Sequence, residues 1–174
     1  MKQKNKCVFL DRDGVLNEDR VNYAYELEHF HMLPGVTESL VKLKKAGYLL
    51  IIVTNQSGIA QGIYSFHQMQ ACHDYLQEKC LHTIDHIYYA PLHPSVSESL
   101  MRKPDSLMFE KAIARYNIDT TQSWMIGDRD RDIIPAKKLG IKTIKIGEAS
   151  AEVPADFLAR DLQEAAELLL NKQH

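Results

Sequence analysis

Short unbroken apolar runs along the chain alternate with longer segments in which apolar positions recur every three or four residues. The runs 7–10 (CVFL), 48–54 (YLLIIVT), 86–90 (HIYYA), 124–127 (WMIG) and 141–146 (IKTIKI) are too short for buried helices. They predict five strands. Between them, 35–47 carries Val36, Leu40, Leu43 and Ala46 at helical spacing and closes on a glycine, Gly47. Segment 65–80 opens with Ser65 and Gln68, the spacing of a capping box. Helices are also predicted over 105–116, over 131–139 before Gly140, and from Asp161 through Leu170, where Asp161 and Glu164 form the cap. Strands spaced by helices imply βαβ units. The expected fold is an α/β, Rossmann-like three-layer sandwich with a mostly parallel central sheet.

Composition narrows this picture only slightly. The 174 residues suit one domain, 1–174, and the chain shows no repeat, low-complexity stretch or evident linker. Hydrophobic residues make up 45% and the formal charge is −2, so bulk attraction to nucleic acid or an anionic membrane is not expected. Three cysteines without a C-x-x-C pair argue against a disulfide framework and fit a reducing compartment. Only four apolar residues separate MKQKNK from Asp11, too few for a signal segment, and no run approaches a membrane span. A soluble, cytoplasmic monomer is the expectation.

In an open parallel sheet, ligands bind outside the carboxyl ends of the strands. The chain's chemistry collects there. Asp11 and Asp13 follow the first strand, and Thr54-Asn55-Gln56-Ser57-Gly58 ends the second. Arg102-Lys103-Pro104 precedes the third long helix, and Gly127-Asp128-Arg129-Asp130-Arg131-Asp132 follows the fourth strand. Three carboxylates facing one point suit Mg²⁺, a hard cation that keeps waters and shares them with phosphate. Lys103 adds a positive charge, and Thr54 can hold phosphate oxygens. A carboxylate is the one strong nucleophile in the set, so an aspartyl-phosphate intermediate follows, with the neighbouring aspartate moving protons. Taken singly, these residues have plainer readings: a solvated turn, a surface lysine, a strand threonine, and a helix N-cap for Asp130 or Asp132.

The ordered set DRDGVLN, VTNQSG, RKP and GDRDRD resembles the haloacid dehalogenase superfamily of phosphohydrolases. FLDRDGVLN, VTNQSGIAQG, IYYAPLHP and RKP are more narrowly similar to its heptose-bisphosphate and histidinol-phosphate phosphatases. The resemblance spans about residues 6–146. It implies Asp11 as nucleophile, Asp13 as general acid and base, and Thr54 and Lys103 on the phosphoryl group. For Mg²⁺ it implies Asp11, the Asp13 carbonyl and Asp128, with Asp132 in support. The substrate side would be Asp19, Asn22, Tyr23, Asn55, Gln56, Ser57, Arg102 and Arg129. A small phosphorylated substrate is the implied partner: a heptose bisphosphate, with histidinol phosphate as the alternative.

The chain departs from that pattern in one loop. Relatives carry Cys-x-His and Cys-x-Cys there, binding zinc; this chain has APLHPSVSESLMRKP, with Ala90 at the first cysteine and His93 near the second position. One histidine cannot build a four-ligand site. No zinc is expected. The intervals 14–53 and 58–102 leave no room for a sizeable cap domain, so a capless, open crevice is expected. A receiver-type signalling domain is the rival from another class, but it needs an aspartate after the third strand, where this chain has Ala90-Pro91.

Overall fold

The computed structural model describes residues 4–172. Six strands form one sheet in which every pairing is parallel: β1 (Cys7–Leu10), β2 (Leu49–Asn55), β3 (His86–Ala90), β4 (Trp124–Gly127), β5 (Lys142–Ile146) and β6 (Phe157–Ala159). Their order is β3-β2-β1-β4-β5-β6. Five of the six match the expected runs. The sixth has only three residues and lies at the sheet edge, too short to leave a pattern.

Alternation along β1 explains the layers. Val8 and Leu10 belong to a core that also holds Leu40, Leu43, Leu76 and Leu169, from α1 (Val36–Lys45), α2 (Phe66–Lys79) and α5 (Leu162–Asn171). Cys7 and Phe9 point the other way, into a core with Met108, Phe109 and Ala112 of α3 (Leu107–Tyr116) and Ala136 of α4 (Asp130–Lys138). All four β1 residues are fully buried, as a central parallel strand requires. At about 25 cal/mol per Å² of apolar surface, burying such a side chain contributes roughly 1.5–3 kcal/mol.

Helix ends follow their caps. Ser65 Oγ accepts from Gln68 N while the Gln68 side chain accepts from Ser65 N, the expected capping box. Asp161 caps α5 by accepting from Glu164 N. At α4 the expectation fails: Arg129 occupies the cap position and Asp130 is the first helical residue. Asp132 supplies the acceptor, taking the Arg129 N–H at 3.0 Å. Asp130 instead pairs with Lys145 and Ser150. Cys7, Cys72 and Cys80 are buried free thiols. Among the described residues no helix is long and apolar enough to cross a membrane.

Strand order reverses between β1 and β4, so the loops leaving them diverge and open a crevice at their carboxyl ends.

Candidate active site

Asp11 leaves β1 with its backbone N–H still bonded to Ile126 O of β4, so the carboxylate is fixed by the sheet itself. Its side chain is 4% exposed. The next turn folds back through Gly14, whose φ of +83° suits glycine. A Cβ there would come within 2.5 Å of an Asp128 oxygen, so the first motif can lie against the fourth only because residue 14 has no side chain.

Lys103 is the electrostatic centre. Its side chain is 0% exposed, and Nζ lies 3.0 Å from Asp11 Oδ1, 2.6 Å from Asp132 Oδ1 and 2.7 Å from the Val53 carbonyl. Burial alone would push this ammonium down; Asp11 and Asp132 outweigh burial and hold it above its ordinary range. Asn55 clamps the lysine's own backbone, accepting from Lys103 N at 3.0 Å and donating to Lys103 O at 3.1 Å.

Asp11, Asp128 and Asp132 place carboxylate oxygens within 4.8 Å of one another. Burial first, and Asp132 second, push Asp11 up to about 7 and Asp128 up to about 6. Asp128 Oδ1 is buried without a hydrogen-bond partner. Lys103 is the one buried cation among these three carboxylates, with Arg129 Nε 3.0 Å from Asp128 Oδ2 on the exposed side, so carboxylates outnumber cations here. A divalent cation held by oxygen ligands fits this donor set and would satisfy the orphaned oxygen.

Asp13 has different company. Its Oδ1 accepts from Arg12 Nη2 at 2.9 Å and Asn17 Nδ2 at 2.9 Å, and its Oδ2 from Gln56 Nε2 at 3.1 Å. Burial would raise its pKa; the Arg12 charge and these bonds outweigh that and hold it below the ordinary carboxylate value. Arg12 is 1% exposed, also donates to Ala24 O, and lies over the Phe30 ring. Arg12 and Asn17 lie within DRDGVLN, but the resemblance implies no role for either. A cation between two functional aspartates and an amide four residues beyond were the available signals.

Thr54 is the penultimate residue of β2, 1% exposed, and its Oγ1 accepts from Gln56 Nε2. Gln56 is placed differently from expectation. It is 2% exposed and all its side-chain bonds run inside the protein, to Asp13, Thr54 and Tyr64, rather than into the crevice. Asn55 likewise spends its amide on Lys103. Ser57 is buried, at 5% exposed.

The rim is polar and aromatic. Arg129 bridges the motifs, with Nη2 2.7 Å from Asp19 Oδ2 and Nε 3.0 Å from Asp128 Oδ2. Asn22 is exposed. Tyr23, at φ +63°, accepts from Gln61 Nε2 and meets the Tyr64 ring edge-on. Arg102 is half-buried with an unpartnered Nη1; burial first and nearby Arg131 second lower its pKa. It lines a cavity of about 450 Å³ with Pro94, Glu98, Leu100 and Pro104. In the same loop His93 turns Nδ1 onto Ser95.

The profile of the haloacid dehalogenase-like hydrolases matches residues 15–146. A D-glycero-beta-D-manno-heptose-1,7-bisphosphate 7-phosphatase of Haemophilus ducreyi is 39% identical over 172 residues, covering 90% of this chain and 94% of its own. A D-glycero-alpha-D-manno-heptose-1,7-bisphosphate 7-phosphatase of Photorhabdus laumondii is 36% identical, over 86% of this chain and 87% of its own. Among solved structures, a D,D-heptose 1,7-bisphosphate phosphatase from B. bronchiseptica, complexed with magnesium and phosphate, superposes with a TM-score of 0.87. It is 26% identical and covers 96% of this chain and 99% of its own. By profile, relatives and fold alike, the chain belongs to the haloacid dehalogenase-like hydrolases.

Proposed function

We propose that this hydrolase is a Mg²⁺-dependent phosphomonoesterase that works through an aspartyl-phosphate and removes the C7 phosphate of D-glycero-D-manno-heptose 1,7-bisphosphate. The observation that carries the chemistry is the group of Asp11, Lys103, Asp128 and Asp132, in which three carboxylates outnumber the single buried cation. The substrate reading rests on the relatives named for that sugar bisphosphate.

Asp11, Asp128 and Asp132 would hold Mg²⁺ with the Asp13 carbonyl. Bound there, the ion offsets carboxylate repulsion and the charge of the phosphoryl group. An Asp11 oxygen attacks phosphorus, and the bond from phosphorus to the ester oxygen breaks. The departing oxygen takes a proton from Asp13. Asp13, now ionised, removes a proton from water as that water attacks the same phosphorus, which frees Asp11 and releases phosphate. Lys103, 3.0 Å from Asp11, neutralises charge on the transferring group, and Thr54 holds one of its oxygens. The first half needs Asp13 protonated and the second needs it ionised. Arg12 and Asn17 favour the ionised form; a phosphate dianion beside Asp13 favours the protonated one.

The test is phosphate release from both anomers of the heptose bisphosphate, histidinol phosphate and simple sugar phosphates, with Mg²⁺ or EDTA. Wild type and Asp11→Asn are compared. Mg²⁺-dependent turnover of a heptose bisphosphate, lost by at least about a thousandfold in Asp11→Asn, is expected. Preference for histidinol phosphate would keep the mechanism and replace the substrate. Release that survives both EDTA and Asp11→Asn would sink the mechanism.

A further inference from the structure

Beneath the crevice lies a chain of side-chain bonds that the mechanism above does not use. The Tyr64 hydroxyl donates to Gln56 Oε1 at 2.7 Å. Gln56 Nε2 donates to Asp13 Oδ2 at 3.1 Å and to Thr54 Oγ1 at 2.9 Å. Tyr64, Gln56 and Thr54 are 4%, 2% and 1% exposed, so solvent cannot replace any of these partners. One buried amide therefore touches both the residue assigned to proton transfer and the residue assigned to the phosphoryl group.

An amide can be turned end for end, and its partners decide which way it faces. The ionised Asp13 only accepts, so Nε2 must face it, and that leaves Oε1 on the far side. The Tyr64 hydroxyl donates to Oε1 there and fixes the amide in this sense. The ring is placed with equal care. It stacks on Tyr25 with centroids 5.1 Å apart and planes 11° from parallel. It also packs where a Cβ on Gly58 would lie 2.1 Å from a ring carbon. Gly58 thus leaves the space through which Tyr64 reaches Gln56. Packing alone would explain the ring; it does not explain a hydroxyl aimed at the one amide that joins Asp13 to Thr54.

We propose that Tyr64 is a positioning residue for catalysis, its hydroxyl fixing the Gln56 amide so that Asp13 and Thr54 are held in register with the transferring phosphoryl group. This rests on the phosphatase reading above. Tyr64 does not touch substrate and acts only through Gln56.

Tyr64→Phe keeps the ring, the stack on Tyr25 and the packing against Gly58, and removes the hydroxyl with its bond to Gln56 and its contact with the Gly58 backbone N–H. On the preferred sugar phosphate, kcat is expected to fall by about tenfold with KM within about twofold, because the loss lies in proton transfer and alignment rather than in binding. On p-nitrophenyl phosphate, whose leaving group departs without a proton, only the acid role of Asp13 is relieved. Hydrolysis of the aspartyl-phosphate still needs Asp13 as base and Thr54 on the phosphoryl group, so kcat should fall there too, by no more than on the sugar phosphate. The Tyr64→Phe/Gln56→Met double variant should be no slower than Gln56→Met, since one acts through the other. The side-chain amide resonance of Gln56 should also move in Tyr64→Phe, a readout independent of turnover. Unchanged kcat on the sugar phosphate overturns the proposal. So do a larger loss on p-nitrophenyl phosphate than on the sugar phosphate, or additive losses in the double variant. Wild-type turnover and its dependence on Asp11 are measured alongside, so failure of the phosphatase reading is distinguishable from failure of this one.

Discussion

Asn55 shows how one residue can serve a site without facing its substrate. The motif VTNQSG resembles a substrate-side loop, and the side chain instead returns to the protein and closes a reciprocal pair of bonds on the Lys103 backbone. That pair fixes the peptide from which a fully buried ammonium is hung between two carboxylates. Asn55→Ala would leave a buried N–H and C=O unmet, at a cost of about 1–3 kcal/mol, and would loosen Lys103. A misplaced charge at the transferring group lowers turnover by roughly 10–100-fold. Thermal unfolding and phosphate release should therefore fall together in Asn55→Ala. A variant with wild-type kcat would show that Lys103 does not need the clamp.

At the scale of elements, what was legible in the sequence was whatever leaves a periodic or punctuated signal. Strands of four to seven residues in unbroken apolar runs, the Ser65–Gln68 box and the Asp161 cap all appear as read. The edge strand β6 was not legible, because three residues cannot show a period. Nor was the direction of Gln56, which depends on Tyr64 reaching back across the same β2–α2 connection, a contact that leaves no period in the sequence. His73 was silent too, because a lone histidine within a helical run does not reveal what packs around it. It sits on the buried face of α2 beside Met69, Cys72 and Leu76, with Nε2 unpartnered. Burial, with a smaller contribution from Arg12, drives it down to about 3, while nearby Asp13 pulls the other way. The sign follows from the free value of 6.5. Between about pH 3 and 6.5 the unfolded chain binds this proton and the folded chain does not, so stability falls as pH falls through that window. His73→Leu should flatten the acid limb by about one proton, or about 1.4 kcal/mol per pH unit. Denaturant titrations from pH 4 to 7 would measure it; an unchanged slope would place the proton uptake elsewhere.

Considered as a whole, the molecule concentrates unbalanced charge at one end of its sheet. Strand order reverses there, so β1 and β4 each deliver a carboxylate to the same crevice and α4 adds Asp132 in its first turn. Burial first, and repulsion from Asp132 second, raise the pKa values of Asp11 and Asp128. Their folded values, about 7 and about 6, lie above the free value of 3.8. Such groups favour the fold at low pH and oppose it as pH rises through 6 and 7, when both must ionise inside the protein. A bound dication reverses this, because it binds the ionised carboxylates. The rise in Tm caused by millimolar Mg²⁺, taken against EDTA at the same pH, should therefore be small near pH 5 and grow through pH 7. His73 contributes equally to both arms and drops out of the difference. Asp128→Asn removes a ligand and one repelling charge, so it should unfold no earlier than wild type in EDTA and gain little from Mg²⁺. A Mg²⁺ increment that is flat with pH, or that survives Asp128→Asn, would place the ion away from this cluster. In that case Lys103 and Arg129 would be left to balance the crevice carboxylates.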